Sequence, residues 1–378
     1  MTTDEQRRTP SGRPRARGIG IPFGGEPGPL NAVTDVDGVE VGYGTRIQGD
    51  RFRTGVTAIH PRGAGSAGDP CAAGVHSFNG NGEMTGTAWI AESGTTAGPI
   101  CLTNTHAVGV VHDAVVRWTV EDHPDLARAW LLPVVAETWD GYLNDINASS
   151  VSTELALDAL ERAAGGPIDE GSVGGGTGMT CYAFKGGSGT ASRIVRYGDD
   201  AYTVGAFVQA NFGSRAELVI AGVPLGEALA DDDPMAEHFA ASADAGSVIV
   251  VVVTDAPMLP NQCAALARRA TLGIGRTGTS GSHFSGDLFI AVSTANAGAF
   301  TSGARTLFGD AAGRYDELRF VPWGHIDPFY AAAVQATEEA VVDALVANEE
   351  MIGLDGHRAP ALPGDRVVEL LRERGAIR

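Results

Sequence analysis

The sequence predicts an α+β domain built in αββα layers, and three observations carry that prediction. Strand-like and helix-like stretches mix without the strict alternation that a doubly wound parallel sheet needs. The run VIVVVV at residues 248–253 is too short to span a membrane and too apolar for a sheet edge, so it reads as a strand buried on both faces. Long helical patterns recur among the strands, up to DPFYAAAVQATEEAVVDALVANEEM near the end of the chain. No internal repeat or linker divides the text, so residues 19–378 read as one domain.

The elements follow in order. Residues 1–18 are basic, polar and Pro-containing and read as a disordered tail; Asp4 and Glu5 argue against an organelle transit peptide. Residues 19 to about 40 are loop-like. VTDVDGVEVG alternates around an Asp-Gly turn, a hairpin signal. TGVTAIHP and GTAWIAES read as strands. HAVGVVHDAVVRWTVED places Val110, Val111, Ala114, Val115 and Trp118 at helical spacing. STELALDALERAA is a helix with an incomplete capping box, since Glu154 follows Ser152 by two residues rather than three. SVGGGTGMTCYAFKGGSGTASRIV is glycine-dense and leads into strands, and TVGAFVQANFG is a strand ending in a turn. LADDDPMAEHFAASADAG reads as an exposed acidic loop that feeds the valine strand. PNQCAALARRATLGIGR is a helix with Pro260 in its first turn. DLFIAVSTAN is a strand, DPFYAAAVQATEEAVVDALVANEEM a long amphipathic helix, and GDRVVELLRER a terminal one.

Composition excludes several function classes. Of 378 residues 43% are hydrophobic and 19% charged, enough apolar mass for a sizeable core. The formal net charge of −19 repels phosphate backbones, which argues against nucleic acid and anionic membranes as partners. No stretch of 18 apolar residues is present, so no membrane helix is expected. Cys71, Cys101, Cys181 and Cys263 are far apart and lack metal spacing, which fits buried thiols in a reducing cytosol and a cytoplasmic protein.

Common motifs fail on context. GIGRTG at 273–278 follows a helix, where a dinucleotide fingerprint needs a strand before it. GGGTGM at 174–179 lacks the ending of a P-loop. His106 and His112 have the wrong offset for one metal site, and Asp231, Asp232 and Asp233 read as a solvated loop. No metal or organic cofactor is expected, and no GxSxG elbow surrounds any serine.

Gly246-Ser247 has one use that these motifs do not cover. If the bond between them breaks, Ser247 becomes a chain terminus whose α-amine lies within reach of its own hydroxyl. An α-amine titrates near 7.7–8.0, so a useful fraction is free base at neutral pH. Terminal nucleophiles are activated in this way without a histidine. The same hydroxyl can make the break by attacking the preceding carbonyl, and Gly246 minimises obstruction. The pair is equally a turn that opens a strand. Ser285 and Asp287 sit two apart at another strand entry, on one face, where they could orient a nucleophile or close a turn.

Longer blocks carry a resemblance: NAVTDVDGVEVGY, SFNGNGEMTG, TNTHAVGVVHDAV, PVVAETWDGYLNDIN, GSVGGGTGMTCYAFKGGSGTASR, VQANFG, GSVIVVVVTDAPMLPNQCAALARRATLGIGRTG and SGDLFIAVSTAN. In this order, over roughly residues 20–345, the chain resembles the P1 family of peptidases, also called the DmpA or β-peptidyl aminopeptidase family. The resemblance implies a four-layer αββα sandwich shared with ornithine acetyltransferases and resembling N-terminal nucleophile hydrolases. It implies a precursor that cleaves itself between Gly246 and Ser247, giving an α chain of 1–246 and a β chain of 247–378. Ser247 would form an acyl-enzyme, and Ser285 and Asp287 match the serine and acid around it, with aspartate where other members have glutamate. Asn211 matches an oxyanion-hole asparagine. An assisting aromatic hydroxyl falls on Tyr142, Trp139 being the other aromatic of that stretch. Glu137 is the anion for the ammonium of the substrate, and FNGNGEMTG and GGGTGM, with Gly176 and Gly178, wall the cleft.

The implied activity is release of N-terminal residues, including D- or β-residues, from short peptides, amides or esters with a free amine, by a homo-oligomer, a tetramer of αβ units. Two other readings remain: an amide hydrolase or acyltransferase of the same fold, such as an ornithine acetyltransferase-like or oligoamide-hydrolysing enzyme, and an uncleaved binding protein.

Overall fold

The computed structural model describes residues 3–236, 246–300 and 315–377. Ten strands and six helices frame it. In chain order they are β1 (Glu40–Gln48), β2 (Phe52–His60), β3 (Cys71–Gly80), α1 (Thr87–Ser93), β4 (Thr95–Thr96), β5 (Ile100–Asn104), α2 (Val108–Asp122), β6 (Val134–Thr138), α3 (Thr153–Glu161), β7 (Gly187–Tyr197), β8 (Asp200–Asn211), β9 (Ser247–Thr254), α4 (Pro260–Gly275), β10 (Gly286–Ser293), α5 (Asp327–Val346) and α6 (Gly364–Glu373). Short two-residue ladders and 3-10 turns join them.

Two sheets face each other. One has the order β1-β2-β5-β6, the other β4-β3-β10-β9-β8-β7. The valine run is β9, paired antiparallel with β8 and parallel with β10. All eight of its residues are buried. Alternation decides which layer each one enters. Ile249, Val251 and Val253 pack between the sheets with Ile59, Leu102 and Ala136. Val248, Val250 and Val252 pack outward with Leu266 of α4 and Ala336 of α5. On the far side, Val56 and Ala58 of β2 meet Val111, Val115 and Trp118 of α2 and Ala156 of α3. Three apolar layers between four structural ones make the αββα sandwich that the sequence predicts.

Local details depart from the sequence reading. GTAWIAES forms α1 rather than a strand; Gly86 and Gly94, both left-handed (φ 74° and 71°), bracket seven residues of which only Ile90 is buried. VTDVDGVEVG is not a hairpin, because Val33–Asp35 is a 3-10 turn and β1 pairs with β2 instead. Ser152 does cap α3, accepting from the Leu155 amide at 3.3 Å. GIGRTG begins inside α4. The acidic loop before β9 is anchored where it is described, Arg215 donating to the carbonyls of Leu229 (2.7 Å) and Asp232 (3.0 Å); its residues 237–245 lie outside the described ones.

Two corrections share one cause. Helix α5 is not amphipathic, since fifteen of its twenty residues are buried, Glu339 and Asp343 among them. Residues 3–18 are not a loose tail, because Arg15 and Ala16 are buried. The N-terminal arm brings cations to the acids of α5. The Arg15 guanidinium meets Asp343 (3.1 Å) and Glu170 (2.8 Å), while Arg17 and Arg193 each hold Glu339 at 2.6 Å. Buried charges persist when paired in this way.

The four cysteines are free and buried. Burial pushes Cys71 up to about 11 and Cys101 and Cys181 up to about 12, which makes them poor nucleophiles. Among the described residues no helix is long and apolar enough to cross a membrane.

Candidate active site

Ser247 is the first residue of β9 and shares the inter-sheet face with Ile249 and Val251. Its neighbours in register are Asn211 on β8 and Gly286 on β10. Ladders on both sides hold its main chain, and the Gly286 amide donates to the Gly246 carbonyl at 3.1 Å. The Ser247 side chain is buried at 4% exposure, and its Oγ accepts from the main-chain N–H of Trp139 at 3.3 Å. Trp139 immediately follows β6, so this contact joins the two sheets at one end of the sandwich.

Asn211 closes the same ring. Its Nδ2 donates to the Trp139 carbonyl (2.9 Å), and its Oδ1 accepts from the Thr180 amide (2.9 Å). Trp139 thus touches Ser247 with its N–H and Asn211 with its C=O. Tyr142 stands behind Trp139, which packs against its cluster. It packs with Leu143, Met235 and Ala359, stacks on His357 at 4.7 Å and donates from its hydroxyl to the Arg358 carbonyl (3.2 Å). The aromatic of the 139–142 stretch that touches Ser247 is therefore Trp139, through a main-chain group that no side-chain reading of ETWDGY could single out.

Ser285 and Asp287 do meet. The Ser285 hydroxyl donates to Asp287 Oδ1 at 2.5 Å. Asn79, in register with Asp287 on β3, donates to Oδ2 at 2.8 Å. Burial raises the Asp287 carboxyl above its ordinary value against the opposing pull of these donors. Val248 is the register partner of Asp287, which sets the carboxylate one residue from the nucleophile candidate. Asn79 went unnoticed in the sequence, although its block was legible.

Glu137 lies on β6 two residues before Trp139, with its side chain buried. It accepts from the Glu83 amide (2.9 Å) and from the Thr105 hydroxyl. Burial raises its pKa, while those two donors pull it down. It stands against Gly82, which in turn abuts Gly286, the register partner of Ser247. Glu83 and His106 also act on it, in opposite directions, and a carboxylate whose direct donors are neutral keeps capacity for an ammonium.

Gly176 and Gly178 are closely packed by neighbouring segments. A Cβ on Gly176 would lie 2.3 Å from the Ser188 amide nitrogen, and one on Gly178 would lie 2.1 Å from the Arg53 carbonyl. On the side where a Cβ would stand, the backbone that approaches these glycines belongs to this chain.

A family model described as peptidase family S58 matches residues 31–359. The chain belongs to peptidase family S58. Beta-peptidyl aminopeptidase BapA of Sphingosinicella microcystinivorans is 46% identical over 377 residues, covering 95% of this chain and 92% of that one. The protein of the same name from Sphingosinicella xenopeptidilytica is 43% identical, covering 96% and 92%. The solved L-aminopeptidase D-Ala-esterase/amidase of Ochrobactrum anthropi, described as a prototype serine aminopeptidase and a variant of the Ntn hydrolase fold, superposes with a TM-score of 0.90 at 45% identity, over 97% of this chain and all (100%) of that one. This S58 chain therefore has an Ntn-type sandwich. Its cavity of about 510 Å³, walled by Ile90, Val115, Leu126 and Val134, lies apart from the ring around Ser247 and contains none of its members. Among the described residues no cluster of His, Cys, Asp or Glu could hold a metal ion.

Proposed function

We propose that this S58 chain is a self-processing serine aminopeptidase that releases N-terminal residues from short peptides, amides or esters with a free amine. The observation that carries the proposal is the placement of Ser247. It opens a strand paired on both sides, its Oγ touches the Trp139 N–H, and Asn211 stands opposite it in register.

In the first step Ser247 Oγ attacks the Gly246 carbonyl and the peptide C–N bond gives way to an ester. Water cleaves that ester, leaving a carboxylate on Gly246 and a free amine on Ser247. In turnover this amine takes the proton of Oγ as the hydroxyl attacks the substrate carbonyl. Asn211 Nδ2 and the Trp139 N–H are the neutral donors near the developing oxyanion, a type of stabilisation typically worth about 2.7–4 kcal/mol per donor. The proton passes to the leaving amine or alkoxide, and the resulting acyl-enzyme is hydrolysed by water. Ser285, held by Asp287, orients the terminal amine. Glu137 receives the substrate ammonium, which selects for a free N-terminus. Its direct hydrogen-bond donors are neutral, the Glu83 amide and the Thr105 hydroxyl, so no direct contact to a cation satisfies it first.

The names of the relatives support D- and β-residues as part of the substrate range: two are beta-peptidyl aminopeptidases and one acts as a D-Ala-esterase/amidase. We further propose a cytoplasmic homo-oligomer, a tetramer of αβ units that needs no cofactor. A denaturing gel tests the reading. Wild type should give two bands, the smaller beginning at Ser247, and hydrolyse aminoacyl p-nitroanilides. Ser247→Ala should stay uncut and inactive, and processing in that variant would sink the assignment.

A further inference from the structure

We propose that Lys185 is a positioning residue for acyl transfer: its buried ammonium clamps the 179–180 peptide unit, and that unit fixes the amide of Asn211 beside Ser247. The proposal rests on the reading of Asn211 given above. Lys185 lies in a two-residue strand, Phe184–Lys185, paired with Thr180–Cys181, and its side chain is fully buried. In its ammonium form Nζ has three protons, one for each of the three carbonyls within its reach: Gly186 (2.7 Å), Met179 (2.9 Å) and Gly176 (3.4 Å). No carboxylate is among these contacts. The charged or titratable groups that act on it from a distance are Asp140 and Cys181. Burial lowers its pKa to about 7.

A filler at this position would be better served by methionine, because a buried ammonium without a carboxylate ligand is costly. What the ammonium does is hold carbonyls. One of them, Met179 C=O, belongs to the same planar trans peptide as Thr180 N–H, and the two groups point in opposite directions. The chain of contacts therefore runs from Lys185 Nζ to Met179 O, across a rigid plane to Thr180 N, then to Asn211 Oδ1, and from Asn211 Nδ2 to Trp139 O. With Oδ1 taken by Thr180, the donor end of the Asn211 amide faces the Trp139–Ser247 side. The Met179 carbonyl also accepts from the Gly186 main-chain amide (2.9 Å), so Lys185 is the second of two donors that fix this plane; with it gone the plane is held from one side only, and the Asn211 amide can tilt its acceptor toward the place where the oxyanion needs a donor.

The test is a double-mutant cycle of Lys185→Met and Asn211→Ala, read as kcat and KM on an aminoacyl p-nitroanilide and normalised to the processed fraction on a gel. Asn211→Ala should cost about 100–1,000-fold in kcat. Lys185→Met should lower kcat by at least about 30-fold with KM within about 3-fold, and the double variant should fall within about 3-fold of Asn211→Ala alone, as residues acting through one another do. Independent, multiplying losses would overturn the proposal, as would a wild-type kcat in Lys185→Met. If Lys185→Met does not fold, Lys185→Ala, which likewise carries no side-chain donor, takes its place in the cycle under the same criteria. A wild-type kcat in Asn211→Ala would instead overturn the reading of Asn211, and so separates the two failures.

Discussion

Replacing Arg15 with methionine should destabilise the whole domain, although the residue sits in what reads as a loose basic tail. Arg15 donates to the carbonyls of Leu30 (2.8 Å), Asn31 (2.7 Å) and Thr190 (2.8 Å), and its charge faces Glu170 and Asp343. Glu339 keeps Arg17 and Arg193 in the variant, but Glu170 and Asp343 are left facing each other without their cation. Removing one member of a buried pair costs about 3–5 kcal/mol. With 378 residues and about 2.1 cal/mol/K of unfolding entropy per residue, that corresponds to a fall in Tm of about 4–6 °C. The loss depends on pH. Burial already raises Asp343 from its ordinary 3.8 to about 6 and lifts Glu170 well above its ordinary 4.5, with Arg15 pulling both down. A carboxyl whose folded pKa is raised loses stability as pH climbs through that window. The variant raises both groups further, so it loses more over a wider window. Thermal melts followed by circular dichroism should show the gap between wild type and Arg15→Met growing from pH 5 to pH 8. A gap under about 1 °C at pH 8, small against the shift expected for a buried pair, or a larger gap at pH 5, would refute the reasoning.

Two other expectations bear on the site. Tyr142→Phe should keep kcat within about 3-fold of wild type, because its hydroxyl serves the Arg358 carbonyl; a 100-fold loss, the size expected for an oxyanion donor, would return Tyr142 to the reaction. Glu137→Gln should raise KM for free-amine substrates and narrow the preference for them over N-acetylated ones, measured as the ratio of kcat/KM values; an unchanged ratio would remove Glu137 from ammonium binding.

What the sequence disclosed followed physical rules. A strand buried on both faces must be apolar at every position, so 248–253 announced itself, and with it the serine at its mouth. Ser285 and Asp287 were legible because two residues apart on a strand entry means one face. Other features were hidden for equally physical reasons. Trp139 acts through main-chain groups that every residue but proline possesses, so its identity carried no signal, whereas Tyr142 drew attention by owning a hydroxyl. The helix α1 is too short to show a period, and its bounding glycines read as ordinary turns. The arginines of the N-terminal arm looked solvated because their acids, Glu339 and Asp343, lie more than three hundred positions away and resembled the polar stripe of an amphipathic helix. GGGTGM left its neighbours open, because glycine permits close approach without saying what approaches.

The position of β9 has a consequence for what a cut before it can do. Strands β3, β4, β7 and β8 precede residue 246, whereas β9, β10 and helices α4, α5 and α6 follow it. The later segment enters the middle of a sheet whose outer strands belong to the earlier one, and the arginines of the first part hold the acids of the last. Scission at that point would yield two polypeptides but only one folding unit. The six-stranded sheet belongs to neither product alone, and neither interior is neutral without the other, so covalent continuity and structural integrity are separate properties here. Were that bond cut, strand pairing and buried ion pairs, not the chain itself, would hold the two products together.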